Sequence, residues 1–562
     1  MAKVNGGRLF AKALKKEGVE CVFTLSGGHI MNILYGCREE GIRVIDVRHE
    51  CAGGYAADAY ARVTGKPGVL ITTAGPGITN ATTAMAEAYQ TGVPVIHIGG
   101  ASPLAQNDMD PLQEIDSFGA MSVFCKWSRK IFSSKRVPEY VSMAFRQALD
   151  DTPGPVYLEM AADVLAQEVD EETIYWPENY RAKTTAFGDP ELIKKAAKAL
   201  MSAKRPAMIV GDTARFSSQY SESVEELANF LKIPVFVQTT SRGVFADESD
   251  NELFQIGNGA ITAADVVLEL AIDHTYKIGM GRPPRINADA LRIMVHPDLK
   301  KIGYNAPADI GVVAGASAAT KQILEIVKAE AKQVTDETWV NQAREINKKM
   351  NTAYLEAANS TIIPTHPGRT AAEVAKFIEE EAKDWHVVCD GGDAGCWMDA
   401  NAVAHYPGQV VRYGPLGTIG TGQGFSLGAW AADGKPVLYY TGDGSFGFYA
   451  MEFDTYLRHN VPLVCVISND SAWGMIKLSE EMKRTDYIKK HGHLATTLEQ
   501  MRAYEKLASI WDGVGIKVTN YQDIIPAIKK VRDSGKPGIV NVEVDQSKMS
   551  PPTAAFSGAK KK

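Results

Sequence analysis

The chain reads as an α/β protein built from three doubly wound parallel-sheet domains. Three observations predict this. Short apolar runs bounded by Gly or Pro alternate with stretches of helical period. The alternation starts afresh twice, each time after a polar segment with little periodicity. And 562 residues are too many for one hydrophobic core.

The first block, 1–166, opens with a helical pattern over Gly7–Gly18. Val44–Asp46 and Gly68–Thr72 follow as short buried strands, then Ala81–Thr91 as a helix. Val93–Ile98 and Pro155–Met160 are further apolar runs. Alternation of this kind makes parallel sheets flanked by helices. Gln167–Asp189, with three acids in a row at Asp170–Glu172, reads as a linker. The second block, 190–332, holds strands at Ala207–Gly211, Val235–Gln238, Val266–Leu270 and Arg292–His296, and a helix at Ser221–Leu231. Lys328–Lys349 is charged and helical, and Thr361–Pro367 is a second linker. The third block, 368–546, alternates again and ends in a Pro-, Gly- and Lys-rich stretch, 547–562, expected to be a flexible tail. No short-period repeat runs through the chain.

Bulk properties exclude several classes. No apolar run approaches the roughly 20 residues needed to cross a bilayer, so no membrane partner is expected. The net charge of −7 disfavours nonspecific nucleic-acid binding. Seven scattered cysteines without a C-x-x-C pair argue against a disulfide framework and a structural zinc site. Met1–Asn5 lacks the apolar core of a secretory signal. A reduced, cytoplasmic protein is the expectation.

Chemistry concentrates in the third block. Gly442-Asp443-Gly444-Ser445 follows the apolar strand Pro436–Tyr440, and Asn469-Asp470 follows the strand Val461–Ile467. Polar residues at the carboxyl ends of neighbouring parallel strands converge at the ligand-binding edge of a sheet. The two glycines let backbone amides approach a phosphate, and Asp443 offers Mg²⁺ a hard oxygen. A helix from about Phe448 would aim its positive end at that phosphate. Gly-Asp-Gly alone is a common turn; the second element 27 positions after Asp443, also behind a strand, makes the pair far more specific.

Here the chain resembles the thiamine-diphosphate enzymes of the decarboxylase and acetolactate-synthase superfamily. Their signature is Gly-Asp-Gly followed at similar spacing by Asn-Asn. The resemblance implies that Asp443, Asp470 and the carbonyl of Ala472 ligate Mg²⁺, with Gly442, Gly444 and Ser445 around the diphosphate. Asp470 departs from the usual Asn and adds a negative charge. Asp46-Val47-Arg48-His49-Glu50 leads into a run of small residues, Gly53 to Ala61. In the family a Glu before such a helix hydrogen-bonds the cofactor's aminopyrimidine and activates it, which makes Glu50 the first catalytic candidate; at a helix start a lone Glu otherwise serves the helix dipole. Thr73 to Asn80 matches a loop that meets the cofactor, through Gly75 and Asn80. Gly414 to Gly420 matches the loop that grips the aminopyrimidine, with Gly417 accepting a hydrogen bond and Ile419 bending the cofactor. The resemblance runs from residue 22 to 475. It implies pyrimidine-binding, central and diphosphate-binding domains, and a homodimer or homotetramer with shared active sites.

Within the superfamily the best likeness is to benzaldehyde lyase and the acetolactate-synthase-like 2-hydroxyacyl-CoA lyases. Ser26-Gly27-Gly28-His29 puts a His at the reacting carbon, where it would shuttle a proton, and Gln113 stands where carboligating members carry a polar active-site residue. A bond within the helix terminus and an exposed loop amide are the bland alternatives for these two. Trp473, Met475 and Ile476 follow the metal element and are expected to line the pocket, or else the core. Acetolactate synthases have Arg-Phe-Asp-Asp-Arg after the strand Val266–Leu270; this chain has Ile272-Asp273-His274-Thr275-Tyr276, so FAD is not expected. Gly279 to Arg285 is similar to a Gly-x-Pro-Pro-Arg segment of the CoA lyases. Its basic residues either meet a CoA or ADP phosphate or are ordinary loop charges. The tail is a candidate cover for a thioester. The expected reaction is cleavage of a 2-hydroxyacyl-CoA to an aldehyde or ketone plus formyl-CoA, or the reverse. The alternative is carboligation of free aldehydes or 2-oxo acids, although Gly395 and Tyr413 replace benzaldehyde lyase's pocket Tyr and His. A non-catalytic member would lack Glu50, and a nucleotide oxidoreductase would need a G-x-G-x-x-G after a strand, which is not found.

Overall fold

The apolar runs pair as parallel ladders in a computed structural model that describes residues 3–182, 184–216, 220–245 and 251–558. By internal contacts the chain divides into two units. One is Met1–Lys349 with Ala404–Gly408 and Gly414–Leu416; the other is Met350–Val403 with Gln409–Tyr413 and Gly417–Lys562.

The first unit holds two sheets. Strand β1 (Lys3–Asn5) opens the chain. β2 (Cys21–Leu25), β3 (Arg43–Asp46), β4 (Gly68–Thr72), β5 (Val95–Ala101), β6 (Trp127–Ile131) and β7 (Val156–Ala161) build a parallel sheet in the order β3-β2-β4-β5-β7-β6. β4, β5 and β7 are buried almost throughout, which is why they read as continuous apolar runs rather than alternations. Leu9, Phe10, Ile96 and Leu158, none of them exposed, sit in the core. After β8 (Glu168–Asp170), the strands β9 (Pro206–Val210), β10 (Val235–Val237), β11 (Val266–Leu270), β12 (Leu291–His296) and β13 (Ile310–Val313) make a second parallel sheet, ordered β10-β9-β11-β12-β13. Arg215 ties the two sheets' helices together by donating to the carbonyls of Arg62 and Val63, each at 2.6 Å. Arg62 itself is buried and paired with Asp58 at 2.5 Å.

The second unit carries β14 (His386–Cys389), β15 (Val410–Arg412), β16 (Val437–Gly442), β17 (Leu463–Asn469), β18 (Val514–Val518) and β19 (Gly538–Glu543), all parallel, in the order β15-β14-β16-β17-β19-β18. Each of the three sheets has a switch point where its winding reverses: between β2 and β4, between β9 and β11, and between β14 and β16. Such switch points open a crevice at the carboxyl ends of the two strands.

Four local expectations change. The segment Gln167–Asp189 is not all linker: β8 pairs antiparallel with β1, because Val4 and Val169 face each other and both are buried. The charged run Lys328–Lys349 is not one helix. A helix ends at Glu330, and the next starts at Thr338, where Asp336 accepts its N–H at 2.9 Å and its hydroxyl at 2.7 Å. No helix begins near Phe448. A one-turn helix, Asp443–Phe446, follows β16 directly, and the next helix is Glu452–Arg458. The stretch expected to be a flexible tail carries a helix, Pro551–Phe556, started by Pro551 and capped by Ser550. Residues 559–562, with the three lysines, lie outside the described residues.

Candidate functional site

Two crevices gather the residues singled out in the sequence. In the second unit, the β14/β16 switch point opens a cavity of about 250 Å³. Gly417, Ile419, Asp443, Asp470, Trp473 and Met475 face it, as do Gly442, Gly444, Ser445 and Ala472. The backbone is fitted to this purpose. A Cβ on Gly444 would lie 2.8 Å from the Trp473 ring, so the indole can rest on bare backbone. A Cβ on Gly474 would lie 2.0 Å from Asp470 Oδ2, so only glycine leaves that carboxylate its position. Ser471 adopts a φ of 57°, folding the turn so that the Ala472 N–H donates to Asp470 Oδ1 at 3.2 Å.

The electrostatics ask for a cation. Asp443 and Asp470 stand within hydrogen-bonding reach of each other. Burial pushes the Asp443 carboxyl up to about 6. Asp470 is held well above the usual carboxylate range, by burial first and by the Asp443 charge second. Two facing carboxyls in such surroundings either share a proton or hold a metal. Among the described residues no group of three or more His, Cys, Asp or Glu forms a metal cage. Two hard oxygens plus a backbone carbonyl suit instead a Mg²⁺ ion that takes its other ligands from phosphate and water. The donor set therefore fits a Mg²⁺–diphosphate group.

Two residues that the sequence reading passed over shape this cavity. Asp390, fully buried at the end of β14, accepts the N–H groups of Gly391 at 2.6 Å, Gly420 at 3.2 Å and Gly422 at 3.0 Å, and the Tyr439 hydroxyl at 3.3 Å. It holds the far end of the Gly417–Gly422 loop. Burial raises its pKa, against the pull of those donors. Asp393 lines the cavity, and its Oδ1 accepts from Ser550 N–H at 2.8 Å, Ser550 Oγ at 2.7 Å and Thr553 Oγ1 at 2.5 Å. The available signal was position: Asp390-Gly391-Gly392-Asp393 follows a strand just as Gly442-Asp443-Gly444 does.

In the first unit, the loops after β2 and β4 meet at the other crevice. Glu50 begins the helix Glu50–Thr64 and is 6% exposed, and the Asn80 side-chain amide donates to its Oε2 at 2.9 Å. His29 Nδ1 lies 3.1 Å from Thr73 Oγ1, and the Thr73 hydroxyl donates to Gln113 Oε1 at 3.3 Å. Gly75 has a φ of 54°, and a Cβ there would meet the Gln113 carbonyl at 2.7 Å. Burial lowers the His29 pKa, favouring the neutral ring. The crevice thus has two polar pairs, Glu50–Asn80 and His29–Thr73, the latter extended by Gln113.

The central sheet carries a buried ionic cluster. Glu269 binds both Arg292, at 2.5 Å, and His274. Arg282 is spent on the Asn305 carbonyl at 2.9 Å. Arg285 stacks on Phe236, 4.9 Å from the ring centroid, and burial pulls its guanidinium down to about 10; no carboxylate pairs with it among the described residues. No helix among the described residues is long and apolar enough to cross a membrane.

Comparison with known proteins agrees with this geometry. Residues 4–120 match the family model for the thiamine pyrophosphate enzyme N-terminal TPP binding domain, 193–323 that for the central domain, and 390–542 that for the C-terminal TPP binding domain. The chain is 32% identical over 557 residues to an acetolactate synthase large subunit of Mycobacterium tuberculosis, covering 97% of this chain and 96% of that one. It is 29% identical over 519 residues to 2-hydroxyacyl-CoA lyase 2 of Bos taurus, covering 84% and 79%. Against 2-hydroxyacyl-CoA lyase 1 of Homo sapiens it is 26% identical over 557 residues, covering 97% and 95%.

Proposed function

Given that the chain belongs to the thiamine pyrophosphate enzymes, of the acetolactate synthase and 2-hydroxyacyl-CoA lyase type, we propose that it cleaves a 2-hydroxyacyl-CoA to an aldehyde or ketone and formyl-CoA, or joins them. The observation that carries this reading is the His29–Thr73–Gln113 chain beside Glu50–Asn80. A carbon–carbon lyase needs a base for the substrate hydroxyl as well as a carboxylate for the cofactor, and this crevice offers both.

Thiamine diphosphate, when bound, supplies the electron sink for the carbanion. Asp443, Asp470 and the Ala472 carbonyl would hold its Mg²⁺. Glu50, steadied by Asn80, would hold the aminopyrimidine. Gly417 and Ile419 would grip it. His29 takes the proton of the substrate's hydroxyl in cleavage and returns it in condensation. Gln113 orients the carbonyl oxygen, and Trp473 and Met475 exclude water. Arg285 is the candidate for the phosphate of a CoA or ADP nucleotide, since its guanidinium is desolvated and unpaired with acid. Two or four copies of the chain share the sites.

The 32% relative favours a second reading, carboligation of 2-oxo acids. One assay separates them. Protein loaded with thiamine diphosphate and Mg²⁺ is offered 2-hydroxyacyl-CoA esters of several chain lengths, or pyruvate with free aldehydes. Mass spectrometry should find formyl-CoA and the shortened carbonyl compound. Acyloin or acetolactate without any CoA product would replace the lyase with the carboligase. Glu50→Gln should lower either turnover by roughly 10²–10⁴-fold while the protein still binds the cofactor, read by calorimetry.

A further inference from the structure

The loop after β4 contributes a hydroxyl that has no role so far. Thr73 is 7% exposed and stands between two side chains assigned to the reaction. Its oxygen lies 3.1 Å from His29 Nδ1, and its proton points to Gln113 Oε1 at 3.3 Å. A hydroxyl has one proton to give. If that proton goes to Gln113, the hydroxyl can only accept from His29, so Nδ1 must carry the hydrogen. In a neutral imidazole the other nitrogen, Nε2, is then the free acceptor. Among the described residues no side chain or backbone group hydrogen-bonds the His29 ring elsewhere.

The backbone holds this chain tightly. A Cβ on Gly27 would fall 2.4 Å from the Thr73 Cβ, so the turn before His29 lies directly on Thr73. A Cβ on Gly100 would fall 2.7 Å from the His29 Cβ, wedging the ring's root against β5. Gln113 adopts a φ of 66° with Gly75 packed on its carbonyl. The backbones that carry the three side chains are thus packed closely against one another.

We propose that Thr73 is a positioning residue that sets the tautomer of His29, fixing Nε2 as the base, and at the same time turns the amide N–H₂ of Gln113 away from itself and toward the substrate. This rests on reading His29 as the base. It makes a single hydroxyl responsible for the polarity of both side chains: one ring nitrogen made an acceptor, one amide made a donor. A substrate presenting a hydroxyl and a carbonyl would meet the two in complementary sense.

The test reads the tautomer without turnover. Full-length protein with histidines labelled in ring ¹³C and ¹⁵N is examined by solid-state NMR, with the His29 signals identified by their loss in His29→Asn. Wild type and Thr73→Ser should show Nδ1 protonated and Nε2 bare. Thr73→Val, which keeps the shape and removes the hydroxyl, should shift the population toward Nε2–H. It should also lower kcat/KM by about 10²-fold, a loss that Thr73→Ser restores. A bare Nδ1 in the wild type would overturn the proposal with no variant needed, as would an unchanged tautomer in Thr73→Val. Failure of the functional reading shows elsewhere: no lyase or ligase product from wild type, whatever the tautomer.

Discussion

At the scale of single residues, the metal end of the site depends on a missing atom. Asp470 keeps its place because Gly474 has no Cβ; one added there would lie 2.0 Å from the carboxylate oxygen. Gly474→Ala should push Asp470 off the cavity and weaken Mg²⁺ binding by about 10–100-fold, the loss typical when support for a metal ligand is removed. A titration of cofactor-loaded protein with Mg²⁺ checks this; unchanged affinity would remove Asp470 from the ligand set. The Asp itself is unusual for the family, and its cost is visible in its own raised pKa, to which the Asp443 charge adds after burial. Protons compete with the ion for these oxygens. With burial pushing Asp443 up to about 6 and Asp470 raised beside it, apparent Mg²⁺ affinity should fall as pH drops through 6.

At the scale of elements, strand β5 and the C-terminal helix carry the sharper expectations. His97, in the middle of β5, is fully buried and bonded through Nε2 to Thr72 Oγ1 at 2.8 Å; burial drives its pKa down to about 3. The folded chain thus refuses a proton that the unfolded chain takes up near pH 6.5. Stability is whole above that pH and is lost as pH falls from 6.5 toward 3, by an upper limit of about 5 kcal/mol at 1.36 kcal/mol per unit. In urea unfolding, His97→Gln should be less stable than wild type at pH 7.5, with a gap that narrows or reverses by pH 4.5. A gap of constant size would mean His97 titrates normally. The helix Pro551–Phe556 is clasped through Ser550 and Thr553 to Asp393, which lines the cavity. Replacing both hydroxyl residues with Ala strips donors from a buried carboxylate, worth about 1–3 kcal/mol each. The expected result is a lower melting temperature together with weaker cofactor binding, because Asp393 would be freed to repel the diphosphate.

At the scale of the whole molecule, the three-sheet architecture was legible in the sequence because buried parallel strands are continuous apolar runs. Val266–Leu270 and Gly68–Thr72 were bounded to the residue. Elements that depend on distant partners were not legible. β1 and β8 exist only because each covers the other's edge, and the C-terminal helix is held by Asp393, more than 150 positions earlier. The motif residues of each crevice do meet in their own unit, since strand ends at a switch point converge whatever their separation in sequence. Asp390 and Asp393 stayed hidden, as did the bonds of Thr73, because their importance lies in what they bond, which spacing does not record. The two units also differ in what they should feel. Inorganic pyrophosphate with Mg²⁺, which lacks any pyrimidine, should slow amide exchange at Gly442–Ser445 and Asp470–Gly474 and leave Val69–Ile71 unchanged. Protection spreading to both units would show that the diphosphate end alone reorganises the chain. Asp390, finally, has a consequence in time. Its bonds to Gly420 and Gly422 are complete within the chain itself, so this loop needs no visitor to take shape. Loading should then be a bimolecular event, its observed rate rising in proportion to cofactor concentration with no plateau set by slow ordering, and a stopped-flow trace should show a single exponential.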